Sequence, residues 1–316
     1  MNSSPNTKAS GRIYALQAHP AAIVAVDPDS GGAETVLSIC SGTPDGIQLD
    51  GAGNAIYWTN MGAMPSSGEA FPDRDGTIER CDLNGRNHRV LVSDGAIVTP
   101  KQMQLSTRQK VLFWCDREGM KIDCCRTDGS ALTTLLSTGS WPADTNDVLR
   151  HCVGIAIDES HHHLYWTQKG PPDGGQGRIF RMGLKMPEGA QPEKRYDVEL
   201  LLEKLPEPID LEIDHAGRQL YWTDRGDPTV GGNTLNRADI TAGGLANHQI
   251  MASGLKEGIG LALDIEGRRA FVADLSGSIR MVSMDGGAFT TIHKCQGPVT
   301  GLAFLPEVAA QIRTVG

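Results

Sequence analysis

Acids and amides interrupt short apolar runs in which glycine and alanine are otherwise the rule. The runs Gly46-Ile47-Gln48-Leu49-Asp50, Gln102-Met103-Gln104-Leu105-Ser106 and Asp210-Leu211-Glu212-Ile213-Asp214 carry polar groups where Gly154-Ile155-Ala156-Ile157-Asp158 and Gly260-Leu261-Ala262-Leu263-Asp264 carry none. Acids beside amides can move protons and hold a developing oxyanion, with Asp210 and Glu212 as acid or base and Gln48, Gln102 and Gln104 as donors. The alternative is a wet crevice where the same groups bind water. His151, between Arg150 and Cys152, is the histidine best placed for acid–base work, because imidazole titrates near neutrality; a loop histidine making one backbone hydrogen bond is the plainer reading. Trp141 is the one tryptophan outside the repeated motif below. It suits stacking on a flat ligand, or packing its own loop.

Other chemistries find no support. The chain has no Gly-x-Ser-x-Gly elbow, phosphate loop or dinucleotide fingerprint, which argues against serine hydrolase, nucleotide and nicotinamide chemistry. The run His161-His162-His163 occupies a position where equivalent segments have Gly53-Asn54, Gly217-Arg218 or Gly267-Arg268, and reads as a solvated turn rather than a metal site. Seven cysteines, an odd number, show no disulfide or zinc spacing and read as free thiols.

Composition sets the frame. With 29 Lys+Arg against 38 Asp+Glu the formal charge is −9, and the basic residues are not clustered; nucleic acid is an unsuitable partner, since phosphate neutralisation supplies most of that affinity. No stretch approaches the ~20 apolar residues of a membrane-spanning helix, and the first residues lack the apolar core of a secretory signal. A cytoplasmic monomer is expected. Glycine is abundant, 38 residues, as a fold with many tight turns requires.

The elements that must position these groups are strands. An aromatic run recurs at Ile13-Tyr14-Ala15-Leu16, Ile56-Tyr57-Trp58-Thr59-Asn60, Leu112-Phe113-Trp114-Cys115-Asp116, Leu164-Tyr165-Trp166-Thr167-Gln168, Leu220-Tyr221-Trp222-Thr223-Asp224 and Ala270-Phe271-Val272-Ala273-Asp274. One of the short alternating runs precedes each of the last five, and period-2 alternation over about five residues is a strand signal. A third and a fourth strand follow, as at Thr77-Ile78-Glu79-Arg80-Cys81 and Val90-Leu91-Val92-Ser93. Four strands in about fifty residues, six times over, predict an all-β, six-bladed β-propeller with four antiparallel strands per blade. Gly301-Leu302-Ala303-Phe304-Leu305 has no second strand after it and Ile13-Tyr14-Ala15-Leu16 no first strand before it. The two are expected to close one blade together, protecting an open edge. Residues 11–306 are thus assigned to the propeller, with tails at 1–10 and 307–316.

Tyr57-Trp58-Thr59-Asn60, Tyr165-Trp166-Thr167-Gln168 and Tyr221-Trp222-Thr223-Asp224 resemble the YWTD repeats of low-density lipoprotein receptor propellers. The resemblance implies that first strands line a central channel, and that second-to-third and fourth-to-first connections share one face. Expanded connections at Met61 to Asp75, Lys169 to Gln176, Arg225 to Gly232 and Thr138 to Cys152 then surround one channel mouth, where long loops on a rigid scaffold point to function. The expected site gathers His151, Glu212 and Asp210 as catalytic groups. Trp141, Phe71, Gln48, Gln102, Gln104, Arg150, His19 and Asp45 would bind a small-molecule substrate. The reaction expected is a cofactor-independent cyclisation, isomerisation, elimination or lactone hydrolysis. The receptor relatives imply instead a protein-binding module. More distant similarity is to strictosidine-synthase-like propellers and to regucalcin and gluconolactonase, and the last two imply a third reading, Ca²⁺ or Mg²⁺ held by Asp45, Asp210 and Glu212. Asp116, Asp224 and Asp274 are expected to bond backbone.

Overall fold

A computed structural model describes residues 11–66, 70–71 and 73–307; the tail expected at 1–10, all but the first residue of the tail expected at 307–316, and Pro72 of the first long loop lie outside them. Among the described residues the strands form six four-stranded antiparallel sheets. Blade I takes its innermost strand, Val299–Pro306, from the far end of the chain and continues through Gly11–Gln17, Ala22–Val26 and Ala33–Ser38. The register from Gly11 opposite Pro306 to Gln17 opposite Val299 is the closure expected from the unpaired terminal motifs. The innermost strands of blades II to VI are Pro44–Asp50, Pro100–Ser106, Cys152–Asp158, Pro208–Asp214 and Gly258–Asp264. Each is followed by an aromatic second strand: Ala55–Asn60, Val111–Asp116, His163–Gln168, Gln219–Asp224 and Arg269–Asp274.

The second strands are buried on both faces because each lies between two neighbouring blades. Their aromatic pairs fill two interfaces at once: Trp58 packs toward blade I with Tyr14 and Ile47, while Tyr57 packs toward blade III with Met103 and Trp114. The core is therefore distributed between blades rather than central.

The threonine of the motif ties blades together near the axis. Thr59 Oγ1 accepts from Gly46 N and donates to Lys101 O of the next blade, both at 2.8 Å. Thr167 does the same between Gly154 N and Ile209 O, and Thr223 between Asp210 N and Ile259 O. Each innermost strand bulges beside this bond, so that its pairing slips between its first and fourth residues in blades II to VI. Glycine suits the bulge because adjacent inner strands nearly touch: a Cβ on Gly154 would lie 1.8 Å from Ile209 O. The weakened motifs lack this hydroxyl, with Cys115 in blade III and Ala273 in blade VI.

The terminal acids of the motif do bond backbone. Asp116 accepts from Val98 N and Thr99 N, Asp224 from Glu207 N, and Asp274 from Lys256 N. All seven cysteines are free. A further long connection, 184–198 in blade IV, has no counterpart in the sequence reading; the Arg195 guanidinium pins it to Asp197 and to the carbonyls of Leu135 and Gly183.

Candidate functional site

Innermost strands begin on the face of the long loops and end at the short turns 51–54, 107–110, 159–162, 215–218 and 265–268. Their side chains fill the channel in tiers. In the upper tier Asp45 accepts from Lys101 Nζ at 2.5 Å and from Gln102 Nε2 at 3.0 Å, and Gln102 also donates to Thr300 O at 3.0 Å. Lys101 Nζ also lies 3.2 Å from Met61 Sδ. Beside this polar group Val153, Ile209 and Ile259, with Leu275, form a small apolar cluster. Desolvation lowers the Lys101 ammonium pKa, against the pull of Asp45.

Asp210 lies one step deeper and accepts from Leu211 N and Leu261 N, both at 2.9 Å. Burial, and next the charge of Glu212, hold its carboxyl well above the ordinary range. In the lower tier Gln104 Nε2 donates to Glu212 Oε1 at 3.0 Å, and Gln48 Nε2 to Met103 O at 3.2 Å. Desolvation lifts the Glu212 carboxyl to about 7, although Gln104 and Gln48 both hydrogen-bond it. Glu212 is enclosed by protein yet half-buried rather than sealed, because it borders a cavity of about 120 Å³ lined also by Gln48, Leu49, Ala262, Leu263, Ala303 and Phe304.

The channel thus brings together six residues singled out from the sequence: Asp45 with Gln102 above, and Gln48, Gln104 and Glu212 below, with Asp210 between. The other five lie elsewhere. His151 is buried at the loop face with Nε2 2.9 Å from Thr145 O, and burial lowers its pKa despite Glu118 nearby. Arg150 braces its own loop through Thr138 O and Asp147. Phe71 is buried and its carbonyl accepts from Thr99 Oγ1 at 2.8 Å. His19 is exposed in the turn after Gly11–Gln17. Trp141 is 37% exposed, with the Arg74 guanidinium 5.1 Å from its ring centre. Neither His151 nor Trp141 borders the Glu212 cavity, so the single mouth pocket expected from the sequence is not assembled from them.

Nor do Asp45, Asp210 and Glu212 form a cation site. Among the described residues no group of three or more His, Cys, Asp or Glu side chains is arranged to hold a metal ion. The Lys101 ammonium occupies Asp45, and two backbone N–H groups occupy Asp210. His161 and His162 sit in a turn as expected, with His161 Nδ1 and the Arg218 guanidinium both on Asp158, whereas His163 is half-buried and opens the strand His163–Gln168. The sequence reading passed over Lys101. Strict alternation puts it on the face opposite Gln102, but the bulge brings both onto Asp45.

Six blades, three of them with Tyr-Trp-Thr second strands and three with weakened copies, define a YWTD-type propeller. No family model matches the chain. It is 41% identical over 293 residues to a protein of Pyricularia oryzae named low-density lipoprotein receptor-related protein 1, a match covering 90% of this chain and 92% of that one. The chain therefore belongs to the YWTD-repeat propellers of the low-density lipoprotein receptor class B type. It is also 39% identical over 254 residues to the 3-hydroxyacyl-CoA dehydrogenase-like protein LAM1 of Cochliobolus heterostrophus, covering 77% of this chain but only 52% of that relative. Among solved structures, the nidogen/laminin complex superposes with a TM-score of 0.71 at 17% identity, covering 94% of this chain and 98% of that one. A gluconolactonase of Xanthomonas campestris gives 0.61 at 13%, covering 95% and 91%. These two show the fold alone.

Proposed function

We propose that this propeller binds a small carbonyl compound in its channel and moves a proton on it through Glu212. The observation that carries the reading is a carboxyl raised to about 7 at the edge of a cavity, with an amide fixed on one oxygen. Near neutral pH both protonation states are populated. The acid can donate to a carbonyl oxygen and the carboxylate can take a proton from the adjacent carbon, as enolisation, cyclisation, isomerisation and elimination require. Gln48 is the second polar group on the cavity and holds the Glu212 carboxyl through its amide. The relative named for 3-hydroxyacyl-CoA chemistry supports an acyl compound oxygenated at its third carbon, with the match spanning about half of that relative.

The test is a screen of 3-oxoacyl and 3-hydroxyacyl thioesters and simple lactones, read by thermal shift and by mass spectrometry of the products. At least one is expected to be bound and converted, and Glu212→Gln to lower turnover by about a hundredfold or more in a folded protein. Undiminished turnover by that variant removes Glu212 from the mechanism.

A second reading rests on the rim rather than the channel. Trp141, exposed beneath Arg74, is an aromatic–cation pair of the kind that anchors protein partners. On that reading Trp141→Ala releases a partner that the parent protein retains in pull-downs.

A further inference from the structure

We propose that the channel is a blind pocket entered from the face of the short turns, opposite the long loops, and that Ala262 and Ala303 set the width of the carbonyl head it admits. This rests on the assignment of Glu212 above for its chemistry, and on separate observations for its direction.

The loop end is closed. The second residues of the innermost strands are Thr300, Asp45, Lys101, Val153, Ile209 and Ile259 from blade I to blade VI, and none is more than 9% exposed. Half of that ring is the apolar cluster sealed by Leu275, and the other half is cross-linked through Asp45, Lys101, Gln102 and Thr300. Exposure then rises along the axis. Gln102 and Asp210 are buried; at the level two residues further along, Gln104 is still buried but Gln48 and Glu212 are half-buried, as are Leu49, Leu263 and Phe304 beyond them. All five half-buried residues border the cavity.

Its shape follows from the fifth residue of each innermost strand. Blades I to VI place Ala303, Gln48, Gln104, Ala156, Glu212 and Ala262 there. The hydrogen bond from Gln104 to Glu212 fills one side of the cross-section. On the other side the adjacent alanines of blades VI and I leave the space that the Glu212 carboxyl and the Gln48 amide border.

About 120 Å³ is room for roughly four waters at ~30 Å³ each, enough for a carbonyl and its neighbouring carbons. No lysine or arginine lines the cavity. A carboxylate or phosphate head would therefore meet a partly ionised Glu212 without a compensating cation. Leu49, Leu263 and Phe304 give the entrance an aliphatic and aromatic wall. The ligand class is an unbranched neutral acyl compound, entering carbonyl first with its chain along that wall.

Accessibility of introduced thiols tests the direction without a ligand. Ala262→Cys and Ala303→Cys from the cavity, and Ile209→Cys and Ile259→Cys from the loop end, are treated with methyl methanethiosulfonate, and each site is read by peptide mass spectrometry. The cavity pair is expected to react at least about tenfold faster than the loop-end pair. Equal rates, or the reverse order, overturn the proposal. If one alanine variant is not recovered folded, the comparison is read from the other. For width, Ala303→Leu is expected to raise KM for the best acyl compound by at least about tenfold with kcat little changed; an unchanged KM overturns that part. Labelling in the expected order together with full turnover by Glu212→Gln would leave the entrance standing and the assignment of Glu212 lost.

Discussion

Glu212 binds its proton more tightly in the folded chain than an ordinary glutamate does, moving from 4.5 to about 7 because burial disfavours the anion. Between those values the folded protein holds more protons than the unfolded one, so stability falls as pH rises. The contribution is intact below about pH 4.5 and is lost on passing through about 7. Asp224, raised to about 7, and Asp116, raised to about 6, act in the same direction. The Glu212→Gln variant isolates one group. Its melting temperature is expected to exceed that of the parent at about pH 8 and to match it at about pH 4, measured by calorimetry in paired buffers. A constant difference across that range assigns the effect to packing instead. Glu212 was legible as a departure from the alanine column of its repeat. His151 was not separable from a working base by sequence, because its partner, the Thr145 carbonyl, depends on how the loop from Thr138 folds back.

Strands were the readable elements, because the short run ahead of each aromatic strand survives even where the aromatic motif decays, as Gly260-Leu261-Ala262-Leu263-Asp264 does before Ala270-Phe271-Val272-Ala273-Asp274. Bulges were not readable, and they decide which polar groups meet: Lys101 joins the channel only through one. The same bulges make the motif threonine an inter-blade tie. Thr167→Val leaves Gly154 N without its acceptor and Ile209 O without its donor, and is expected to lower stability by about 1–3 kcal/mol in urea unfolding. The reciprocal change, Ala273→Thr, supplies the hydroxyl that blade VI lacks. It is expected to be neutral or stabilising, by up to about 1 kcal/mol.

At the scale of the whole molecule, the ring holds because every blade buries its second strand against both neighbours, blade I included. Removing Val299–Pro306 exposes the edge of Gly11–Gln17 and strips Val299 and Leu302 from the interface with blade VI. A chain ending before Val299 is expected to lose its single sharp calorimetric transition, and two-state melting of that chain would show that five complete blades suffice.

The closing strand is also the last of the ring to be synthesised. Ribosomes add residues vectorially, so Gly11–Gln17 leaves the exit tunnel nearly three hundred residues before the strand that pairs with it. At 5–20 residues per second that edge stays open for roughly 15–60 s. During that time it is a template for any passing β-strand. Until the closing strand arrives, the nascent first blade is therefore the place where association with other chains is expected to begin.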